Sequence, residues 1–140
     1  MSEMICSDRD IVMVVDDEEA IGEMIKGLLE RHGCAHVSFS DPVKALEYYE
    51  KHAKEVTLII TDLTMPYMTG SDLIKYARKI NPKLPTILIT GYPAEHIPED
   101  IRPLPERILA KPFTKLELLT AVEAVLHRPP EWHSTHRAQD

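Results

Sequence analysis

The stretch Ile11-Val12-Met13-Val14-Val15-Asp16-Asp17 decides how this chain is read. Five apolar residues in a row, mostly β-branched, offer no polar face to water. Such a run reads as a strand buried on both faces of a sheet. The two aspartates that close it repel one another and resist burial. A fold tolerates that cost where something cationic offsets it, and a bound divalent metal is the obvious candidate. Taken alone, the pair reads more readily as a helix N-cap with a solvated neighbour, because Asp is a favoured cap. The other strand ends have to decide between these readings.

Apolar runs alternate with amphipathic stretches five times. After the first strand, Ala20, Ile21, Met24, Ile25, Leu28 and Leu29 form a helical stripe, ended by Arg31-His32-Gly33 in the manner of a C-cap. Cys34–Phe39 predicts a second strand with mixed polarity. Asp41-Pro42 opens the next helix as N-cap and first helical residue, and that helix runs to about Ala53. Val56–Ile60 is a third, fully apolar strand. Leu73, Ile74, Ala77 and Ile80 stripe a helix that stops before Pro82. Thr86–Ile89 predicts a fourth strand and Ile108–Ala110 a short fifth. Leu116, Leu119, Val122 and Leu126 stripe a final helix, with Thr114 and Glu117 spaced as a capping box.

This alternation predicts a single α/β domain, a (βα)5 doubly wound parallel sheet with helices on both faces. The first, third and fourth strands are solidly apolar, as central strands should be, while the second is mixed and the fifth short, as edges often are. The order 2-1-3-4-5 of flavodoxin-like sheets fits, and such sheets bind ligands beyond the carboxyl ends of their strands. Ala94–Glu106, with Pro98, Pro103 and Pro105, predicts a short, irregular fourth helix. The expected domain covers residues 10–127, after an N-terminal extension of residues 1–9. The polar stretch 128–140 reads as a disordered tail or the start of a linker.

Composition narrows the function. The 140 residues carry a net charge of −7, with 44% apolar and 28% charged residues. That balance argues against non-specific binding to nucleic acid or to an anionic membrane. No apolar run approaches the ~20 residues needed to span a bilayer. Cys6 and Cys34 are too few and too scattered for a disulfide framework, so they read as free thiols in a reducing compartment, which points to the cytoplasm. His127, His133 and His136, in or near the tail, read as solvated residues. Tyr48-Tyr49 reads as half core and half surface, and Met13, Met24 and Met65 as packing or turn residues.

The strand ends carry the chemistry. The first strand ends in Asp16-Asp17, the third in Asp62, the fourth in Thr90-Gly91 and the fifth in Lys111-Pro112. In a parallel sheet these ends open onto one crevice, where three carboxylates, a hydroxyl and an ammonium converge. Such an oxygen-rich set suits a hard cation such as Mg²⁺, with Mn²⁺ as an alternative. A carboxylate can also act as a nucleophile and form an aspartyl phosphate. Phosphoryl transfer depends mainly on positioning and charge neutralisation, which a metal and a lysine supply. Gly91 leaves room for a phosphoryl group, and Thr90 is placed to donate to its oxygens.

The ordered set Asp16-Asp17, Asp62, Thr90 and Lys111-Pro112-Phe113, with Thr61–Gly70 following the third strand, resembles the receiver domain of bacterial two-component response regulators. The resemblance spans roughly Asp10 to His127. It implies Asp62 as phosphoacceptor, Asp17 and Asp62 as direct Mg²⁺ ligands, Asp16 acting through water, and the backbone carbonyl of Thr64 as a further ligand. It also implies Thr90 as switch hydroxyl, Lys111 as phosphoryl partner and a cis bond before Pro112. The implied partners are a sensor histidine kinase or phosphotransfer protein and a downstream protein, with no turnover chemistry of its own. Two positions depart from the family pattern. Ile108 stands where an aromatic is frequent, and Leu104-Pro105-Glu106 replaces an Ala-Gly-Ala-like turn. Neither an aromatic switch nor dimerisation through that face is carried over, and a monomer is expected. Two other readings compete: a receiver-fold binding module independent of phosphorylation, and an aspartate-nucleophile phosphatase. The phosphatase typically needs Asp-x-Asp and a cap domain.

Overall fold

A computed structural model describes residues 5–91 and 105–127. Its five strands are β1 (Ile11–Val15), β2 (Ala35–Phe39), β3 (Leu58–Asp62), β4 (Thr86–Thr90) and β5 (Arg107–Ala110). The helices among the described residues are α1 (Glu19–Arg31), α2 (Pro42–His52), α3 (Gly70–Ile80) and α4 (Lys115–Leu126). All neighbouring strands pair in parallel, in the order β2-β1-β3-β4-β5. The flavodoxin-like doubly wound sheet expected from the sequence is therefore the fold. The expected irregular helix, apart from Pro105 and Glu106, and the polar tail lie outside the described residues.

Alternation along each strand sorts the core onto the two faces. Val12 and Val14 point to the α1 and α4 side, where they meet Ile25, Leu29, Leu118 and Val122. Met13 and Val15 point to the α2 and α3 side, against Ala45, Tyr49, Leu73 and Ala77. A strand buried on both faces needs an apolar residue at every position, which is why β1 reads as a continuous run. Among the described residues no helix is long and apolar enough to cross a membrane.

The helix signals act as the sequence predicts. Asp41 caps α2 by accepting from the backbone N–H of Val43, with Pro42 in the first turn. Thr114 and Glu117 close a reciprocal capping box on α4. Gly33, at φ 76, leaves α1 through a left-handed conformation that glycine adopts without steric cost. Tyr49 is wholly buried, while Tyr48 is half-buried and stacks on His52.

Three expectations need correction. Cys6 and Cys34 are not free thiols: they form a disulfide, both buried, across 28 positions of sequence. The inference to a reducing compartment loses its support with them. In α4, Leu116 is 73% exposed; Val122 is buried as expected, together with Leu118, Ala121 and Val125, while Leu119 and Leu126 pack partly against the same core. That helix is apolar almost all round, so spacing alone did not separate its faces. In α3, Ile80 is exposed and Arg78 is buried. The Arg78 guanidinium donates to the Glu106 carboxylate at 3.1 Å, forming an ion pair shielded from water on both sides.

Candidate functional site

The register of the sheet places the site. Val15 pairs with Thr61, Asp62 with Ile89, and Thr90 with Ala110. Asp16, Asp62, Thr90 and Lys111 therefore stand in steps along one edge, each at or just beyond the carboxyl end of its strand. Backbone bonds extend the ladder past these ends. Asp16 N–H donates to Phe39 O, Leu63 N–H to Ile89 O, and Lys111 N–H to Thr90 O.

Asp16, Asp17 and Asp62 each offer a carboxylate oxygen within 4.8 Å of the others. Asp16 and Asp62 are 4% exposed, whereas Asp17 faces solvent. One oxygen of Asp16, Oδ1, accepts from the backbone N–H of Glu18 at 2.8 Å. The other, Oδ2, is buried with no partner. An orphaned carboxylate oxygen is costly, and a cation or its bound water satisfies it. Burial pushes the Asp16 carboxyl up to about 6. The Glu18 N–H opposes that rise, and the nearby Asp62 charge adds to it. Asp62 is raised too, chiefly by burial, with Lys111 pulling the other way.

Lys111 carries the positive charge. Its Nζ donates to Asp62 Oδ2 at 3.1 Å and to Glu18 Oε1. Burial alone would lower its pKa, but the bonds to Glu18 and Asp62 outweigh burial and hold the ammonium above its usual range. The Lys111–Pro112 peptide is cis. Thr90 is buried at the end of β4, and Gly91 is exposed with open space where a side chain would stand. Thr64 lies exposed in the loop after β3.

The loop that follows Asp62 is held tightly. Gly70 N–H donates to Leu63 O at 2.8 Å, and a Cβ on Gly70 would stand 2.1 Å from the backbone oxygen of Asp62. Only glycine permits that approach. Tyr67 in the same loop adopts φ 70 and is 94% exposed. The sequence reading brought Asp16, Asp17, Asp62, Thr90 and Lys111 to one edge, and the structure brings the same five there. It missed Glu18, whose contact spans 93 positions with no spacing signal to reveal it. Ile108 lies on β5 beside Leu88, partly exposed.

Comparison with known proteins follows the same lines. The family model of the response regulator receiver domain matches residues 12–123. Over 116 residues the chain is 28% identical to the response regulator receiver protein CpdR of Brucella abortus, covering 82% of this chain and 95% of that one. Over 121 residues it is 31% identical to the sensor kinase CckA of the same organism, covering 84% of this chain but 12% of the kinase. The chain spans about half the length of other curated relatives. Among solved structures, a response regulator receiver domain protein from Clostridium thermocellum superposes with a TM-score of 0.78. It shares 28% identity and covers 85% of this chain and 95% of that one.

Proposed function

Because this chain belongs to the family of response regulator receiver domains, we propose that it accepts a phosphoryl group on Asp62 from a phosphohistidine. The donor is a sensor histidine kinase or a phosphotransfer protein, and the modified domain then changes its binding to a downstream protein. The observation that carries this reading is the group of three carboxylates, within 4.8 Å of each other, with the Lys111 ammonium on Asp62.

In the reaction a carboxylate oxygen of Asp62 attacks phosphorus. A P–O bond forms as the N–P bond breaks, and the donor imidazole keeps the electron pair and takes a proton from solvent. Lys111 favours the ionised form of Asp62 against the burial that raises its pKa, and is placed to follow the charge onto the phosphoryl oxygens. Asp16, Asp17, Asp62 and the backbone carbonyl of Thr64 are the groups that would hold Mg²⁺. When bound, the ion would neutralise charge on the transferring group. The unpartnered Oδ2 of Asp16 supports that assignment. Thr90, at the end of β4, supplies the hydroxyl that would donate to the new phosphoryl oxygens, and exposed Gly91 leaves them room. The domain acts as a signalling module, not a turnover enzyme, and a cytoplasmic location rests on the kinase partner alone.

Acetyl phosphate with Mg²⁺, followed at once by intact mass measurement, tests the proposal. Wild-type protein should gain one phosphoryl mass, and Asp62→Asn should gain none. Absence of the adduct from wild type, or its survival in Asp62→Asn, would sink the assignment. The exposed Ile108 on β5 keeps a phosphorylation-independent binding module as the second reading. Partner affinity that is unchanged by beryllofluoride would favour that module.

A further inference from the structure

We infer that Glu18 is a gating counter-ion for Lys111: its carboxylate holds the ammonium in the unmodified domain and must release it before a phosphoryl group can take its place. The inference rests on the phosphoryl-acceptor reading and adds a residue that controls how readily the site is charged.

Glu18 occupies the N-cap of α1, with extended backbone at φ −88 and ψ 107, yet its side chain caps nothing. Asp, Ser, Thr or Asn at that position would fold back onto the helix N–H groups. The longer Glu side chain instead crosses the mouth of the site to Lys111 Nζ. Its backbone is fixed for that reach, since Glu18 N–H donates to Asp16 Oδ1 at 2.8 Å. The site thereby ties its metal-facing aspartate and its lysine to the same residue.

The two acceptors of Lys111 are unequal. The Asp62 side chain is 5% exposed and cannot leave, whereas that of Glu18 is 57% exposed and can swing into water. Glu18 brings a fourth carboxylate to a site that already holds three. It occupies part of the Lys111 ammonium and repels an incoming anionic donor. After transfer, the phosphoryl group carries close to two negative charges and competes for the same N–H donors. Glu18, the mobile partner, is then displaced. It is a positioning residue, acting through Lys111.

The test compares wild type, Glu18→Gln and Glu18→Asp at saturating Mg²⁺ with acetyl phosphate. Glu18→Gln should phosphorylate roughly two- to fivefold faster at low ionic strength, the scale of one partly exposed ion pair. The gap should close as salt is raised. The phosphorylated state should decay at the wild-type rate, because Glu18 has already let go. Glu18→Asp keeps the charge but shortens the reach, so it should follow Glu18→Gln. If it follows wild type, net charge and not the contact is responsible, and the gate is wrong. NMR of the Lys111 ammonium gives a second readout. Its signal should differ between wild type and Glu18→Gln before beryllofluoride and Mg²⁺ are added, and coincide afterwards. Adducts that form at equal rates in all three proteins overturn the gate alone. No adduct on wild-type Asp62 overturns the acceptor reading, and the gate with it.

Discussion

Asp16 is nearly inaccessible to water, and burial lifts its carboxyl from 3.8 to about 6. Its raised folded-state pKa means that protonation favours the fold. The contribution is fully present below pH 3.8 and is lost as pH rises through about 6. Above that, the ionised group costs the metal-free protein on the order of 3 kcal/mol. Asp16→Asn should therefore stabilise the metal-free domain at pH 7 and do little at pH 4. Urea denaturation across that range checks it, and equal effects at both pH values would refute it. The same substitution should weaken Mg²⁺ binding, because the orphaned Oδ2 loses its charge. Residues of this kind were legible in the sequence only as a set: alone Asp16-Asp17 reads as a cap, but carboxylates, a hydroxyl and a lysine at successive strand ends have few structural explanations. Glu18 and Tyr67 were not. One makes a contact 93 positions away, and the other takes a backbone angle, φ 70, that tyrosine rarely adopts.

Elements were legible where the local signal was local chemistry. The Asp41-Pro42 start, the Thr114–Glu117 box and the Gly33 exit each depend on neighbours within a few positions. The face of α4 was not legible, because a helix with apolar residues nearly all round is oriented only by what it packs against. The buried face of α3 hid a second long-range feature. Arg78 donates to Glu106 and to the Thr86 hydroxyl, and Glu106 also accepts from the Thr86 backbone N–H at 2.7 Å. One ion pair thus fastens α3 to the starts of β4 and β5, beneath the strand ends that carry Thr90 and Lys111. Removing one member of a buried pair leaves the other charge uncompensated, at a cost of about 3–5 kcal/mol. Arg78→Met should lower stability on that scale. Arg78→Met combined with Glu106→Gln should lose less than Arg78→Met alone, because glutamine still accepts from Thr86. A double variant less stable than Arg78→Met would exclude this account.

At the scale of the molecule, the order of strands and the convergence of their ends follow from which runs are wholly apolar. The covalent tie between Cys6 and Cys34 does not, since two cysteines in 140 residues carry no pairing signal. The disulfide closes a loop that contains β1 and the whole of α1. Constraining a loop of that length in the unfolded chain should stabilise the fold by about 3–4 kcal/mol. Oxidised and reduced protein, compared by urea denaturation, should differ by that amount, and Cys6→Ser should match the reduced form. Equal stabilities would mean that the bond adds nothing. The same corner gathers both ends of the fold. Ile5 donates its N–H to His32 O, and its carbonyl accepts from Nε2 of His127 at 2.6 Å. The first and last described residues touch on the underside of the sheet, opposite the acidic edge. The two ends of the described fold meet at a single doorway. A host chain could carry the whole fold as a cassette in one of its loops, its own two flanks left as near to each other as before. The acidic edge would still look outward.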